Sequence, residues 1–431
     1  MSAALLVLLS FAASPPNIVF LLADDLGYGD LGCTGHPYAR TPAIDRLARE
    51  GTRFTQFYVA GATCCPSRTG LMTGRFPARF AKYPATYGFG DAVTLPQLLQ
   101  KAGYRTAHFG KWHMGDEQKP GTHGLEVVDV LGGNRRDPRG RDALITDRTI
   151  EFIRANKARP FYVNVWFHTP HAPVAPPESF RAPFAKLVTR AEDFTNPDMK
   201  AHLSLYAKLG GDVNAGMRAY LGDLAQLDSQ VARILKALDD AGLRDNTLVV
   251  FTSDNGPAKC TGGNKDKKIK ENMLGSAGPF HERKHSLFDG GIHTPLIVRW
   301  PGQVPAKRVE EKAVLAGVDF LPSVCKLVGV KPPAKIDGED RSSAWLGKPT
   351  PRKGDLFWRA SNPKDSPAMR REHWKAHLDY RSDRVSLYDL AQDPGERSDV
   401  AAKHPKIARE MGDALRKWVA TLPREYEKSE D

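Results

Sequence analysis

Asn17-Ile18-Val19-Phe20-Leu21-Leu22-Ala23-Asp24-Asp25 is a short apolar run, rich in β-branched and aromatic residues, that stops on two adjacent carboxylates. A run with no polar alternation is the pattern of a strand covered on both faces, as in a parallel sheet. The pattern recurs in Tyr162-Val163-Asn164-Val165-Trp166-Phe167 and in Thr247-Leu248-Val249-Val250-Phe251. Helical segments lie between these runs. Thr41-Pro42 supplies an N-cap and a first helical residue, with Gly51 as the stop, and Thr94 and Gly103 bracket a second helix. Residues 217–238 carry Leu, Ile and Val at helical spacing. This alternation predicts an α/β fold with a large, mostly parallel central sheet flanked by helices. From about Gly338 the strand signals become short and irregular, with Leu356-Phe357-Trp358 and Ser386-Leu387-Tyr388 ahead of a helix over 407–419. The expected division is a main α/β domain over 15–337 and a smaller C-terminal α+β subdomain over 338–431.

Length and charge bound the function classes. The 431 residues exceed what a single core usually serves, and 62 Lys+Arg against 50 Asp+Glu give a net charge of +12. A positive surface favours polyanions such as sulfated or phosphorylated molecules. No basic run with interleaved aromatics resembles a nucleic-acid module, so no nucleic-acid partner is expected. Residues 1–14 resemble the apolar core and small-residue end of a signal peptide, which points to a periplasmic or secreted protein. That segment is too short to span a bilayer, and with no other long apolar run no stable membrane insertion is expected. Cys33, Cys64, Cys65, Cys260 and Cys325 are too scattered for a disulfide scaffold, and none forms a C-x-x-C zinc pair.

Chemistry-bearing residues gather where strands end, which is where ligands bind in open α/β sheets. Asp24-Asp25 follows the first strand and Asp254-Asn255-Gly256 follows the strand ending at Phe251. Three carboxylates and an amide oxygen suit a hard divalent cation, Ca²⁺ or Mg²⁺. Basic segments follow other strand-like runs: Gly110-Lys111-Trp112-His113, then His168-Thr169-Pro170-His171-Ala172-Pro173, with Arg283-Lys284 ahead of Asp289-Gly290-Gly291. Lysines neutralise the oxygens of a tetrahedral anion, and a neutral imidazole moves protons near pH 7. Thr63-Cys64-Cys65-Pro66-Ser67-Arg68 adds a thiol one helical turn from a guanidinium.

The ordered series Asp24-Asp25, Cys64-x-Pro66-Ser67-Arg68, Gly110-Lys111-Trp112-His113, His171-x-Pro173, Asp254-Asn255-Gly256 and Lys284 resembles the type I, formylglycine-dependent sulfatases of the alkaline-phosphatase-like superfamily. Leu387-Tyr388-Asp389-Leu390 with Asp393-Pro394 resembles a C-terminal signature of that family. The resemblance implies a sulfuric ester hydrolase whose Cys64 is converted by a maturation enzyme to Cα-formylglycine, the aldehyde hydrate then supplying the attacking oxygen. It further implies that Asp24, Asp25, Asp254 and Asn255 hold Ca²⁺ together with the modified residue 64. Arg68 would steady the hydrate and the carboxylates, and Lys111 and Lys284 would clamp the sulfate. His113 would act on the second hydroxyl of the hydrate, and His171, the member of the H-x-P pattern, on the leaving oxygen. His168 would assist from behind or cap its loop.

Cys65 departs from the family, which has a small or polar residue there. Arg283 and His285 beside Lys284 predict an unusually basic substrate rim, suited to a sulfated carbohydrate. Residues 76–91, 116–141 and 173–211 are the expected remainder of the rim. A phosphonate or phosphate ester hydrolase of the same superfamily, or a catalytically silent glycan-binding homologue, is the alternative reading.

Overall fold

The computed structural model describes residues 15–84, 88–115, 119–134, 136–260, 269–360, 366–424 and 426. The 1–14 leader therefore lies outside the described residues, as do parts of the loops 76–91 and 116–141.

Among the described residues the main sheet has eight strands. In spatial order they are β5 (Val127–Asp129), β4 (Arg105–Gly110), β6 (Phe161–Pro170), β1 (Asn17–Asp24), β7 (Thr247–Ser253), β8 (Leu296–Arg299), β2 (Thr52–Phe54) and β9 (Arg308–Glu310). From β5 through β7 every pairing is parallel; β8 runs antiparallel to both β7 and β2. All of β1 is buried, because its two faces enter different cores. Ile18, Phe20 and Leu22 pack with Trp166, Val250 and Phe320, whereas Val19, Leu21 and Ala23 pack with Leu224, Leu227 and Val231 of the helix Val213–Asp240. That double covering explains the unbroken apolar run.

β3 (Phe57–Tyr58) and β10 (Leu315–Ala316) form a short parallel pair. A C-terminal antiparallel sheet follows, made of β11 (Leu356–Trp358), β12 (Ala368–Arg371), β13 (Trp374–Asp379) and β14 (Arg384–Asp389), and the helix Pro405–Ala420 covers it. Met369, Leu378 and Leu387 meet Met411 and Leu415 of that helix in a core of their own. Leu356, Trp358 and Trp418 instead join the core under β1, and the Trp358 indole donates to the Val59 carbonyl at 2.8 Å.

The helix starts read from sequence differ in how they are capped. Pro42–Glu50 begins after Thr41, yet the Thr41 hydroxyl is taken up by Gly32 N at 2.9 Å and by Asp45. Asp228, from the long helix, caps it instead, accepting from Ala43 N at 3.1 Å and Ile44 N at 2.8 Å. Burial pushes the Asp228 carboxyl up to about 6. Leu95–Lys101 opens on a reciprocal box, in which Thr94 N donates to Gln97 Oε1 at 2.9 Å and Gln97 N to Thr94 Oγ1 at 3.5 Å. Thr94→Ala is expected to lower stability by about 1 kcal/mol in urea denaturation, with turnover unaffected.

Candidate active site

The central parallel strands end side by side, with Gly110 opposite Trp166, Asp24 opposite Pro170 and Ala23 opposite Ser253. The residues that next leave β4, β6, β1 and β7 are Lys111, His171, Asp25 and Asp254. Asp25 turns the chain with φ of 63°, a conformation uncommon outside glycine, and its backbone N–H is tied to Asp254 Oδ1 at 3.1 Å. Over these strand ends lies the buried helix Cys64–Thr73, so Cys64 enters the cluster from a helix N-terminus, where the backbone favours negative charge. Asp24, Asp25, Cys64 and Asp254 each offer a ligand atom, all within 4.8 Å of one another.

Three cations offset the carboxylates. Lys111 Nζ lies 2.5 Å from Asp24 Oδ2, and Lys284 Nζ lies 2.5 Å from Asp25 Oδ1. Both ammoniums also reach Cys64 Sγ, at 3.6 and 3.3 Å, while Asp24 Oδ1 lies 3.4 Å from the same sulfur. Arg68 is fully buried: Nε and Nη2 donate to Asp254 Oδ2 at 2.9 and 2.7 Å, Nη1 donates to the Lys111 carbonyl at 2.8 Å, and the guanidinium sits 5.0 Å from the Trp166 ring. Burial alone would raise the Asp24 carboxyl, but the charges of Lys111, His171, Arg68 and Lys284 outweigh it and hold the group well below the usual range. Burial, then the Asp254 and Asp24 carboxylates, pushes the Cys64 thiol well above its ordinary value. These protein groups keep the sulfur protonated, a poor state for a thiolate nucleophile.

A hard cation suits the donor set. The Asn255 amide nitrogen donates to Asp25 Oδ1 and to the Gly256 carbonyl, both at 2.8 Å. Its oxygen is buried without a hydrogen-bond partner among the described residues. An orphaned carbonyl beside three clustered carboxylates is what an oxygen-ligated divalent ion would satisfy.

His171 comes from the loop after β6: its Nε2 lies 3.8 Å from Asp25 Oδ2, and its Nδ1 is held by the Ala172 carbonyl at 2.7 Å. His113 keeps part of its surface in solvent; partial desolvation of its ring, then the Lys111 and Arg68 charges, pushes it down to about 4. His168 is turned away to Asp142, whose carboxylate also accepts from the Thr169 N–H and hydroxyl. The fold thus gathers Asp24, Asp25, Cys64, Arg68, Lys111, His171, Asp254, Asn255 and Lys284, with His113 outside them on the turn that follows Lys111.

The basic rim needs correction. Arg283 is buried, its guanidinium donating to the carbonyls of Ala258 at 3.2 Å, Met273 at 3.3 Å and Gly275 at 2.6 Å, and burial lowers its pKa to about 10. Its fork of donors satisfies the Ala258 and Gly275 carbonyls and shares the Met273 carbonyl with His202 Nε2. His285 alone of the pair is exposed. Cys65 packs in the core under β1, where burial holds its thiol up at about 11.

Several contributors carried no sequence signal. Asn272 Nδ2 lies 3.4 Å from Asp25 Oδ2, Arg141 Nη1 braces the His171 carbonyl at 2.6 Å, and Trp166 lies under Arg68. Asn272 sits in the single helical turn Glu271–Leu274 and Arg141 in the turn ahead of Ala143–Ala155, neither within a recognisable motif, and Trp166 reads as an ordinary strand residue.

The sulfatase family model matches residues 16–330, and the model for the C-terminal region of N-sulphoglucosamine sulphohydrolase matches 275–421. Bovine (Bos taurus) arylsulfatase A is 31% identical, across 94% of this chain and 87% of its own length. An N-acetylgalactosamine-6-O-sulfatase of Bacteroides thetaiotaomicron is 29% identical, across 93% of this chain and 92% of its own. Among solved structures, Ps i-CgsB in complex with k-i-k-neocarrahexaose superposes with a TM-score of 0.78 at 25% identity, over 96% of each chain. The chain belongs to the sulfatase family, within the alkaline-phosphatase-like superfamily. Its activity is that of a sulfuric ester hydrolase.

Proposed function

We propose that the chain releases inorganic sulfate from a sulfate monoester of a sulfated carbohydrate, using residue 64 after oxidation of Cys64 to Cα-formylglycine. The observation that carries this reading is the Cys64 side chain, set at a helix start between the Lys111 and Lys284 ammoniums and beside Asp24. A protonated thiol there is a poor nucleophile in its own right, and two lysines meeting at one atom suit a tetrahedral oxyanion. Carbohydrate as the substrate class is supported by the named activity of the Bacteroides relative and by the oligosaccharide in the Ps i-CgsB complex.

Asp24, Asp25, Asp254 and Asn255 would hold Ca²⁺, with Mg²⁺ as the alternative hard cation. The ion would supply charge neutralisation and would acidify the oxygen on residue 64. Lys111 and Lys284 bind sulfate oxygens, and Arg68 fixes the carboxylates behind them. With His171 Nδ1–H donated to the Ala172 carbonyl, Nε2 carries a proton only on a cationic ring and can then pass it to the leaving oxygen. Neutral His113 accepts the proton released at residue 64.

Maturation requires a formylglycine-generating enzyme as partner, and the 1–14 leader would direct the chain to the periplasm or medium. Among the described residues no helix is long and apolar enough to cross a membrane. We place the catalytic domain over 15–337 and the smaller subdomain over 338–431.

Protein co-produced with the maturation enzyme is expected to carry an aldehyde at residue 64 by peptide mass spectrometry, to turn over an aryl sulfate faster than an aryl phosphate, and to lose both turnover and thermal stability in EGTA. Calcium should restore both. Unmodified cysteine with full turnover, or a preference for phosphate, overturns the assignment.

A further inference from the structure

Asp289, Lys375 and Glu396 form a buried ion cluster that no catalytic role absorbs. Lys375 Nζ bridges Asp289 Oδ1 at 2.6 Å and Glu396 Oε1 at 2.9 Å, and Glu396 Oε2 accepts the Asp289 backbone N–H at 2.5 Å. Asp289 Oδ2 accepts the Tyr58 hydroxyl at 2.6 Å and faces His293 Nδ1 at 3.1 Å; Glu396 Oε1 faces His377 Nε2 at 3.1 Å. The relative exposures are 1% for Asp289, 0% for Lys375 and 3% for Glu396. Burying ion pairs costs desolvation and is a poor route to stability, so the cluster calls for another explanation.

Its position supplies one. Asp289 opens a turn, Asp289–Ile292, wedged between the Lys284 loop and the metal-site turn. A Cβ on Gly290 would lie 2.1 Å from the Glu282 carbonyl oxygen, one on Gly291 2.1 Å from that of Ser286, and one on Gly256 1.9 Å from that of Gly290. Three backbones therefore touch with no space for a methyl group between them. Hydrogen bonds lock them: Gly290 N to His281 O at 2.8 Å, Gly256 N to Gly291 O at 3.0 Å, and Lys284 N to Pro257 O at 3.0 Å. The Asp289 turn and the Lys284 loop are thus in direct backbone contact.

The geometry points to Lys375 and Glu396, both contributed by the C-terminal subdomain, as positioning residues that hold Lys284 against the sulfate by clamping Asp289. Glu396 lies just beyond the Asp393-Pro394 signature and receives its structure from it, with Glu396 N bonded to Asp393 O at 3.1 Å. The C-terminal segment is thereby part of the sulfate clamp without touching substrate.

This inference rests on the proposed role of Lys284, and the test separates the two. In matured, calcium-loaded protein, Lys284→Ala and Glu396→Gln are compared for the inhibition constant of inorganic sulfate, for KM and kcat with an aryl sulfate, and for thermal midpoint. Thr94→Ala serves as a destabilised control remote from the site. The expected result is an inhibition constant raised about tenfold or more by both variants, with Thr94→Ala indistinguishable from wild type. A Glu396→Gln protein that melts earlier but binds sulfate normally, while Lys284→Ala binds it poorly, overturns the positioning role and leaves the function intact. Normal sulfate binding by Lys284→Ala overturns both. If Glu396→Gln does not fold, Glu396→Asp keeps the charge but falls short of Lys375 and the Asp289 N–H; weakened sulfate binding supports the role and unchanged binding overturns it.

Discussion

Cys64→Ala is expected to lower aryl-sulfate turnover by about 10⁵-fold, the scale reached when a catalytic nucleophile is deleted, while the thermal midpoint moves little. The small change in stability follows from the contacts. Lys111 and Lys284 retain their carboxylates at 2.5 Å after the sulfur is gone, so no buried charge loses its partner. Cys65→Ala is the matched control: its thiol packs among apolar side chains under β1, so its replacement should lower stability modestly and leave turnover per mature molecule unchanged. Kinetics with an aryl sulfate, normalised by mass spectrometry for the modified fraction, decide the matter. Substantial residual turnover in Cys64→Ala, or dependence on Cys65, would remove residue 64 from the centre of the reaction.

The parts legible in the sequence were those with a local physical cause. An apolar run without alternation reveals a strand buried on both faces, and β1, β6 and β7 all have this character. Residues placed just past such strands converge because parallel strands end together, which is why the sequence alone groups Asp25, Lys111, His171 and Asp254. What remained hidden depends on long-range partners. Asp228 caps a helix nearly two hundred residues upstream in place of Thr41, and nothing near Thr41 signals that its hydroxyl is engaged elsewhere. Arg283 reads as surface charge beside Lys284, yet it is buried because carbonyls of three other loop residues converge on it. The residues 173–211, expected as rim loops, contain the helix Met199–Lys208, whose Met199, Leu203 and Tyr206 pack onto the long helix. The Asp289–Lys375–Glu396 cluster joins residues from distant parts of the chain, so only the fold brings them together.

Arg68→Leu is expected to cost about 3–5 kcal/mol of stability without calcium, because Asp254, itself fully buried, loses its pairing with the buried guanidinium. The size of the loss should depend on metal. With the guanidinium gone, three clustered carboxylates face only two lysines, so a divalent cation offsets more charge and calcium should raise the thermal midpoint more in the variant than in wild type. Arg68→Lys distinguishes charge from shape. One ammonium cannot bond Asp254 Oδ2, reach the Lys111 carbonyl and lie flat at 5.0 Å from Trp166 at once. It should therefore recover part of the lost stability yet remain about 100-fold or more below wild type in kcat, since the Lys111 backbone is then free to shift relative to residue 64. Calorimetry with and without calcium, paired with aryl-sulfate kinetics, gives both readouts. Full activity in Arg68→Lys would show that position 68 supplies charge alone, and an unchanged calcium response in Arg68→Leu would show that Asp254 does not face the metal.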